Sequence, residues 1–159
     1  MKNFKKVGNR VLMLILFSFS VLALPFFSCN KMEHREDAEQ SQIEIFRKAV
    51  NNDTTTVYEL DGIILALHTI GTEEYLPEDT ITLTYTGVAL QQNVVFAQNE
   101  MVRVVYGDND LIDGWKIALP YLRKNSSGLL LITYDKGYGK ERVGVVDPYS
   151  TLKFTFTAQ

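Results

Sequence analysis

The side chains that usually carry out covalent or metal chemistry are scarce in this sequence. It has two histidines, His34 and His68, and one cysteine, Cys29. Both histidines are isolated, and a single cysteine cannot complete a thiolate metal site. There is no glycine-rich phosphate loop and no Gly-x-Ser-x-Gly nucleophile motif, and the carboxylates are scattered through predicted turns. The sequence therefore predicts no metal and no cofactor, and a function that rests on shape and apolar surface.

The composition is that of one globular domain preceded by a basic segment. The chain has 159 residues, of which 46% are hydrophobic and 22% are charged. Residues 1–28 contain four basic residues and no acidic one, which leaves 12 of the 16 basic residues against all 19 acidic ones. Such an acidic body cannot readily neutralise phosphates, so we predict no nucleic-acid partner.

The first 28 residues are typical of an export signal. Residues 1–10 are polar and basic, and residues 11–27 are almost wholly apolar. A helix of that apolar length reaches only about 25 Å, which is short for a hydrocarbon core of about 30 Å. Cys29 follows directly, and the arrangement resembles a bacterial lipoprotein signal, in which the cysteine is lipidated and becomes the new N-terminus. We expect a lipid-anchored protein of the cell envelope; an uncleaved membrane anchor and a simple secretory signal are the alternatives.

Residues 29–56 are predicted to form a tether that contains a short helix. Asn30–Gln42 is polar and charged, as suits a spacer that lifts a domain from a membrane. Helix-forming residues predominate from Arg35 to Val50, where one narrow apolar stripe has helical spacing: Ile43, Phe46 and Val50. We expect this helix to pack on the domain through the stripe; a helix that binds a partner is the alternative.

After Thr54 the sequence changes to short runs rich in β-branched and aromatic residues. Such runs predict strands, here at residues 57–60, 63–70, 80–86, 94–96, 102–106, 129–134 and 151–157. Only Asp113–Arg123 has a helical pattern in this part of the chain, and Pro120 is expected to end that helix. We predict an α+β domain over residues 57–159, in which an antiparallel sheet covers one short helix.

Several short motifs follow one another in this domain. They are Leu83-Thr84-Tyr85-Thr86-Gly87, Phe96, Leu111-Ile112-Asp113-Gly114-Trp115, Asp135-Lys136-Gly137-Tyr138-Gly139 and residues 145–154. The ordered set resembles the FKBP-type peptidyl-prolyl cis-trans isomerase family over about residues 60–159. The resemblance implies an antiparallel sheet wrapped around the helix that contains Trp115, which agrees with the strand pattern.

The resemblance also implies a function and a set of site residues. It implies an apolar pocket that binds proline and promotes rotation about X–Pro bonds of exported polypeptides, with no cofactor. Trp115 would form the floor, and the Tyr138 hydroxyl and the Ile112 backbone N–H would hold the peptide carbonyls. The walls implied by the same resemblance are Tyr85, Phe96, Leu111, Ile112, Val145, Val146 and Phe154. No oligomeric state follows from the sequence.

The sequence departs from the family pattern at several positions. Ala97 stands where the family usually has Asp, which removes a carboxylate that braces the pocket. Val102 stands at a further aromatic wall position, so the pocket should be wider and less aromatic. Asp147 and Gly137 replace a Pro and an Ala. These departures predict weak isomerase activity; a non-catalytic FKBP-like binding or chaperone module of the envelope, or a purely structural lipoprotein, is the alternative.

Overall fold

A computed structural model describes residues 26–105 and 110–159, with side chains from His34 onward. The described helices are α1 (Phe26–Val50) and α2 (Asp113–Ala118), and two 3₁₀ turns cover Leu119–Tyr121 and Tyr134–Lys136. The described strands are β1 (Thr56–Leu60), β2 (Ile63–Thr69), β3 (Thr80–Ala89), β4 (Val94–Val105), β5 (Ser127–Ile132) and β6 (Leu152–Ala158). Residues 1–25 of the predicted export signal, the Cys29 side chain and Tyr106 of the predicted strand 102–106 lie outside this description.

The six described strands form one antiparallel sheet in the order β1-β2-β5-β6-β3-β4. One face of the sheet packs on α2. Alternate residues of β6 are buried there because successive side chains of a strand point to opposite faces: Leu152, Phe154, Phe156 and Ala158. Trp115 and Ala118 of α2 belong to the same buried cluster. The predicted fold class, an antiparallel sheet with one short helix against it, is confirmed.

The other face of the sheet is covered by the C-terminal part of α1. Phe46 and Val50 pack against a second buried cluster that contains Ile64, Ala66 and Leu131. This coverage explains why Ile63–Leu67 in β2 are all buried instead of alternating. The apolar stripe therefore docks the helix on the domain, as the sequence predicts.

Helix α1 is longer than predicted, because it begins at Phe26 and not at Arg35. It includes the polar stretch Asn30–Gln42, which the sequence indicated as a spacer. No glycine or proline interrupts residues 26–50, and Glu, Ala, Gln, Lys and Arg are good helix formers, so nothing there ends the helix. Among the described residues, no helix has the length and hydropathy needed to cross a membrane.

Several elements of the domain differ in length or position from the prediction. Strand β3 extends to Ala89 instead of Thr86, and β5 covers Ser127–Ile132 instead of residues 129–134. The strands predicted at residues 94–96 and 102–106 are one strand, β4, whose pairing with β3 is irregular near Gly87. Helix α2 ends at Ala118, short of the predicted Arg123, because Pro120 has no backbone N–H to donate and lies in the 3₁₀ turn Leu119–Tyr121.

Candidate active site

An apolar pocket of about 230 Å³ opens beside the N-terminal end of α2. Its walls come from β3, β4, β6, the start of α2 and the loop after the Tyr134–Lys136 turn. The lining residues are Leu83, Tyr85, Val102, Asp110, Leu111, Ile112, Trp115, Tyr138 and Phe154. Six of the nine site residues predicted for the domain therefore meet at one place.

Trp115 is held rigidly at the base of this pocket. It lies in the first turn of α2 and is 4% exposed. Its ring contacts Phe154 at a centroid distance of 5.3 Å and Phe156 at 5.4 Å, both edge to face. Such tilted contacts are the favoured arrangement of aromatic pairs. The indole can therefore present a fixed flat surface to a small ring.

The Tyr138 hydroxyl is a neutral hydrogen-bond donor at physiological pH. Burial raises the pKa of Tyr138 above its ordinary value of 10.0, and the neighbouring Tyr85 raises it further. Burial is also the main cause of the raised pKa of Tyr85, followed by the carboxylate of Glu100. Because both phenols keep their protons, the pocket presents hydroxyl groups and not phenolate charges.

The pocket wall also contains a backbone donor. Ile112 is the N-cap of α2, and its carbonyl accepts hydrogen bonds from the Trp115 and Lys116 N–H groups, at 3.0 and 3.3 Å. The N–H of an N-cap residue stands outside the helical hydrogen-bond ladder. Ile112 can therefore offer an amide donor beside the Trp115 ring.

Phe96 supports the wall from behind and is not among the lining residues. Its ring contacts Tyr138 at a centroid distance of 6.1 Å and Phe154 at 5.6 Å. The ring also lies over Gly87, where a Cβ atom would come within 2.5 Å of the phenyl Cζ. The pairing of β3 with β4 shifts register at this point, and such bulges re-aim side chains. The ring of Phe96 braces Tyr138 and does not form the pocket surface.

Val145 and Val146 do not line the pocket. Val145 is 57% exposed, and Val146 is 1% exposed and belongs to the main core. Val143 and Val146 exchange backbone hydrogen bonds of 3.1 and 3.0 Å around Gly144, which has a positive φ of 57°. Next to this tight turn, Val145 is therefore exposed to solvent while Val146 is buried in the core.

The sequence analysis did not assign Leu83 or Asp110 to the site. Leu83 alternates with Tyr85 on β3 and so shares its face, a signal that the strand pattern could have supplied. Asp110, which precedes Leu111, is an acidic residue in the pocket wall. The family pattern has an acidic residue on β4 instead, at the position that Ala97 occupies here. Val102, identified as a departure from the family, does line the pocket.

A larger cavity, of about 380 Å³, lies on another part of the domain. It is lined by Tyr58, Ile70, Glu74, Tyr75, Pro120, Tyr121, Leu122 and Arg123, and none of these is a predicted site residue. Within residues 26–105 and 110–159, no group of three or more His, Cys, Asp or Glu side chains is arranged to hold a metal ion. The aromatic pocket beside α2 is therefore the candidate active site.

Comparison with known proteins identifies a family. Residues 71–158 match the family described as FKBP-type peptidyl-prolyl cis-trans isomerase. A comparison with curated proteins finds no significant sequence match.

Several solved structures have the same fold. FkpA from Escherichia coli is 20% identical, with a TM-score of 0.63 over 96% of this chain and 72% of that chain. A peptidyl-prolyl cis-trans isomerase from Pseudomonas syringae pv. tomato is 24% identical, with a TM-score of 0.64 over 79% of this chain and 92% of that one. The N-terminal domain of FKBP42 from Arabidopsis thaliana is 17% identical, with a TM-score of 0.58 over 65% of this chain and 89% of that one.

Proposed function

This chain belongs to the FKBP-type peptidyl-prolyl cis-trans isomerase family, and from that premise we propose that it isomerises X–Pro bonds of exported polypeptides. The observation that carries the proposal is the apolar pocket of about 230 Å³ in which the Trp115 ring, the Tyr138 hydroxyl and Ile112 come together. Its size and lining suit a proline ring with its flanking peptide groups. Catalysis of this rotation requires no nucleophile and no metal.

The physical basis of the proposed catalysis is the loss of amide resonance in a dry pocket. Rotation about a peptide bond faces a barrier of roughly 18–20 kcal/mol, which arises from the partial double bond between carbon and nitrogen. The planar amide separates charge between oxygen and nitrogen, whereas the twisted amide does so less. An apolar surrounding therefore disfavours the planar ground state relative to the twisted transition state.

Each proposed role follows from the position of the residue. Trp115 stacks under the proline ring, and the Tyr138 hydroxyl and the Ile112 N–H bind the neighbouring peptide carbonyls. Tyr85, Leu111 and Phe154 exclude water around the rotating bond. Because the lining is mostly aliphatic and aromatic, we expect little preference for the residue that precedes proline.

A non-catalytic client-binding module is the second candidate, and it too has an observation in its favour. Large apolar side chains are exposed on β4 and on the loop that carries Tyr138: Val95, Met101, Val105, Val143 and Val145. Exposed apolar side chains are the groups that unfolded segments can contact. The lack of a carboxylate at position 97, where this chain has Ala97, also favours a binding module over a fast isomerase.

A protease-coupled assay with chromogenic proline tetrapeptides tests the two candidates. The full chain, purified in detergent, should accelerate cis-to-trans conversion, and Tyr138→Phe should lower that rate. Tyr121→Phe, which removes a hydroxyl outside the pocket, should not lower it. Wild-type protein that binds an unfolded proline-containing polypeptide but leaves the isomerisation rate at its uncatalysed value is the result expected of a binding module.

We further propose that the protein is tethered to the envelope through a lipid on Cys29. The support is the basic segment and apolar run that precede this cysteine. Mass spectrometry of the mature N-terminus should find a diacylglyceryl-modified cysteine, and Cys29→Ser should abolish the modification. A mature protein that still carries residues 1–28 would contradict the proposal.

A further inference from the structure

The loop that carries Tyr138 is closed at its base by one buried carboxylate. We define this site loop as Tyr134–Thr151, which begins with the second 3₁₀ turn and ends where β6 starts. Glu39, on helix α1, is only 8% exposed. Its Oε1 atom accepts a hydrogen bond from the Tyr134 backbone N–H at 2.9 Å and another from the Thr151 hydroxyl at 3.1 Å. A single oxygen thus joins the first and last residues of the site loop.

The first of these hydrogen bonds leads directly to Tyr138. The carbonyl of Tyr134 accepts hydrogen bonds from the Gly137 N–H at 3.1 Å and the Gly139 N–H at 2.8 Å. These two glycines flank Tyr138 in the chain. The residue that Glu39 holds through its N–H therefore holds both neighbours of Tyr138 through its carbonyl.

The second hydrogen bond is oriented by Gln91. The Gln91 Oε1 accepts the Thr151 N–H at 2.8 Å, and the Gln91 Nε2 donates to the Thr151 hydroxyl oxygen at 2.9 Å. Because that oxygen accepts a hydrogen bond from Gln91, its own hydroxyl hydrogen is directed to Glu39. Thr151 is fully buried, so this arrangement is shielded from competing water.

Glu39 is not needed to dock α1 on the sheet. It occupies the same helical stripe as Ile43, Phe46 and Val50, and the last two are already buried against the sheet. An aliphatic side chain at residue 39 would avoid the cost of burying a carboxylate, but it would leave the Tyr134 N–H and the Thr151 hydroxyl without this acceptor. What the carboxylate adds is a charge-assisted acceptor, which forms stronger hydrogen bonds than a neutral one.

We propose that Glu39 is a positioning residue that holds the site loop so that the Tyr138 hydroxyl stays over the pocket. The proposal rests on the proposed isomerase function for its kinetic consequence, but not for its structural one. It also gives helix α1, which contains the predicted lipid attachment site Cys29, a second role beyond linking the domain to a membrane.

Kinetics of matched variants in the full chain test the proposal. Glu39→Gln keeps a carbonyl acceptor and should stay within about twofold of wild-type kcat/KM, whereas Glu39→Ala should lower it by roughly tenfold. Glu36→Ala, an exposed position on the same helix, is the control. If Glu39 acts through Tyr138, then adding Glu39→Ala to the Tyr138→Phe variant should lower kcat/KM by less than about a further twofold. Equal losses in both backgrounds would overturn the positioning role.

Hydrogen exchange provides a measurement that does not depend on isomerase activity. Glu39→Ala should accelerate exchange of the Gly137 and Gly139 amides, while amides in the middle of β6 keep their wild-type rates. Thr151→Val preserves side-chain size and removes one donor to Glu39, so it should give a smaller acceleration. If the wild type proves inactive, the proposed function fails while this experiment still decides the role of Glu39. Unchanged exchange at both glycines in Glu39→Ala and Thr151→Val would refute that role.

Discussion

At the scale of single residues, the Tyr138 hydroxyl is the donor whose removal should affect catalysis most directly. Tyr138→Phe should lower kcat/KM by about three- to tenfold, because one net hydrogen bond is worth about 0.5–1.5 kcal/mol. The rate should be flat between pH 6 and 9, since burial raises the pKa of Tyr138 and keeps it protonated. The protease-coupled assay measures both effects, and circular dichroism checks the fold. A rate that falls with rising pH inside that range would contradict a neutral donor.

Ala97 is the second position at which one side chain should change the rate. It is half-buried on β4, beside the register shift at Phe96. Ala97→Asp introduces a carboxylate that can brace the pocket, and we expect isomerisation to rise by about two- to tenfold, the range for one net hydrogen bond. Peptide affinity should rise less, because an interaction made mainly in the transition state raises turnover.

Three measurements on Ala97→Asp separate the possible results. A carboxylate buried without a partner would cost about 1–3 kcal/mol, which a lower thermal midpoint would reveal. Ala97→Asn, of similar size but uncharged, is the matched control. A stable Ala97→Asp protein with an unchanged rate would show that Ala97 does not limit this pocket.

At the scale of elements, the irregular pairing of β3 with β4 around Gly87 determines the position of the pocket wall. The Phe96 ring occupies the space that a Cβ atom on Gly87 would need. Gly87→Ala should displace this ring from Tyr138 and Phe154, and should destabilise the fold by about 1–3 kcal/mol, as overpacking commonly does. We expect Gly87→Ala to lower isomerase activity by a larger factor than it lowers the fraction of folded protein.

A combination of variants checks this explanation. Gly87→Ala with Phe96→Leu relieves the overlap, so unfolding in urea should show part of the stability restored. Isomerase activity should stay low in the double variant, because the smaller side chain no longer braces Tyr138. Equal destabilisation by Gly87→Ala with and without Phe96→Leu would show that the ring is not the obstacle.

At the scale of the whole molecule, one buried tyrosine, Tyr75, and two half-buried ones, Tyr85 and Tyr138, should make stability fall in alkali. Burial is the main cause of the raised pKa of Tyr75, Tyr85 and Tyr138 relative to the ordinary value of 10.0. Above pH 10 the unfolded chain loses these protons while the folded chain keeps them, so the free energy of unfolding declines as pH rises. Below pH 10 both states are protonated, and this contribution is fully present.

Urea unfolding between pH 8 and 11 measures the decline. Lys136 has a raised pKa because its ammonium binds Asp61, and it contributes in the same direction. Tyrosine variants therefore isolate the phenol contribution. Tyr75→Phe should reduce the slope above pH 10, and it should cost little stability at pH 7, because the Tyr75 hydroxyl has no hydrogen-bond partner among the described residues. A slope identical to wild type would contradict this assignment.

Patterns in the sequence are sufficient to predict the fold class, most strands and several residues that line the pocket. Burial of one sheet face requires alternation, and β3 and β6 show it clearly in the sequence. The helical spacing of Phe46 and Val50 likewise predicted which face of α1 docks. Trp115, Tyr138 and Ile112 could be assigned because short motifs in a fixed order resemble a family.

How these residues meet can be seen only in the folded chain. Val145 and Val146 are neighbours in sequence, yet the turn at Gly144 leaves one exposed and buries the other. The bulge at Phe96 depends on a partner strand, so the sequence of β4 alone predicted two strands. Glu39 reads as one more polar residue of a spacer, because its partners are 95 and 112 residues away. The periodicity of a sequence shows which nearby residues share one face of a helix or strand. A hydrogen bond between residues about 100 positions apart forms only when the folded sheet brings those two residues together.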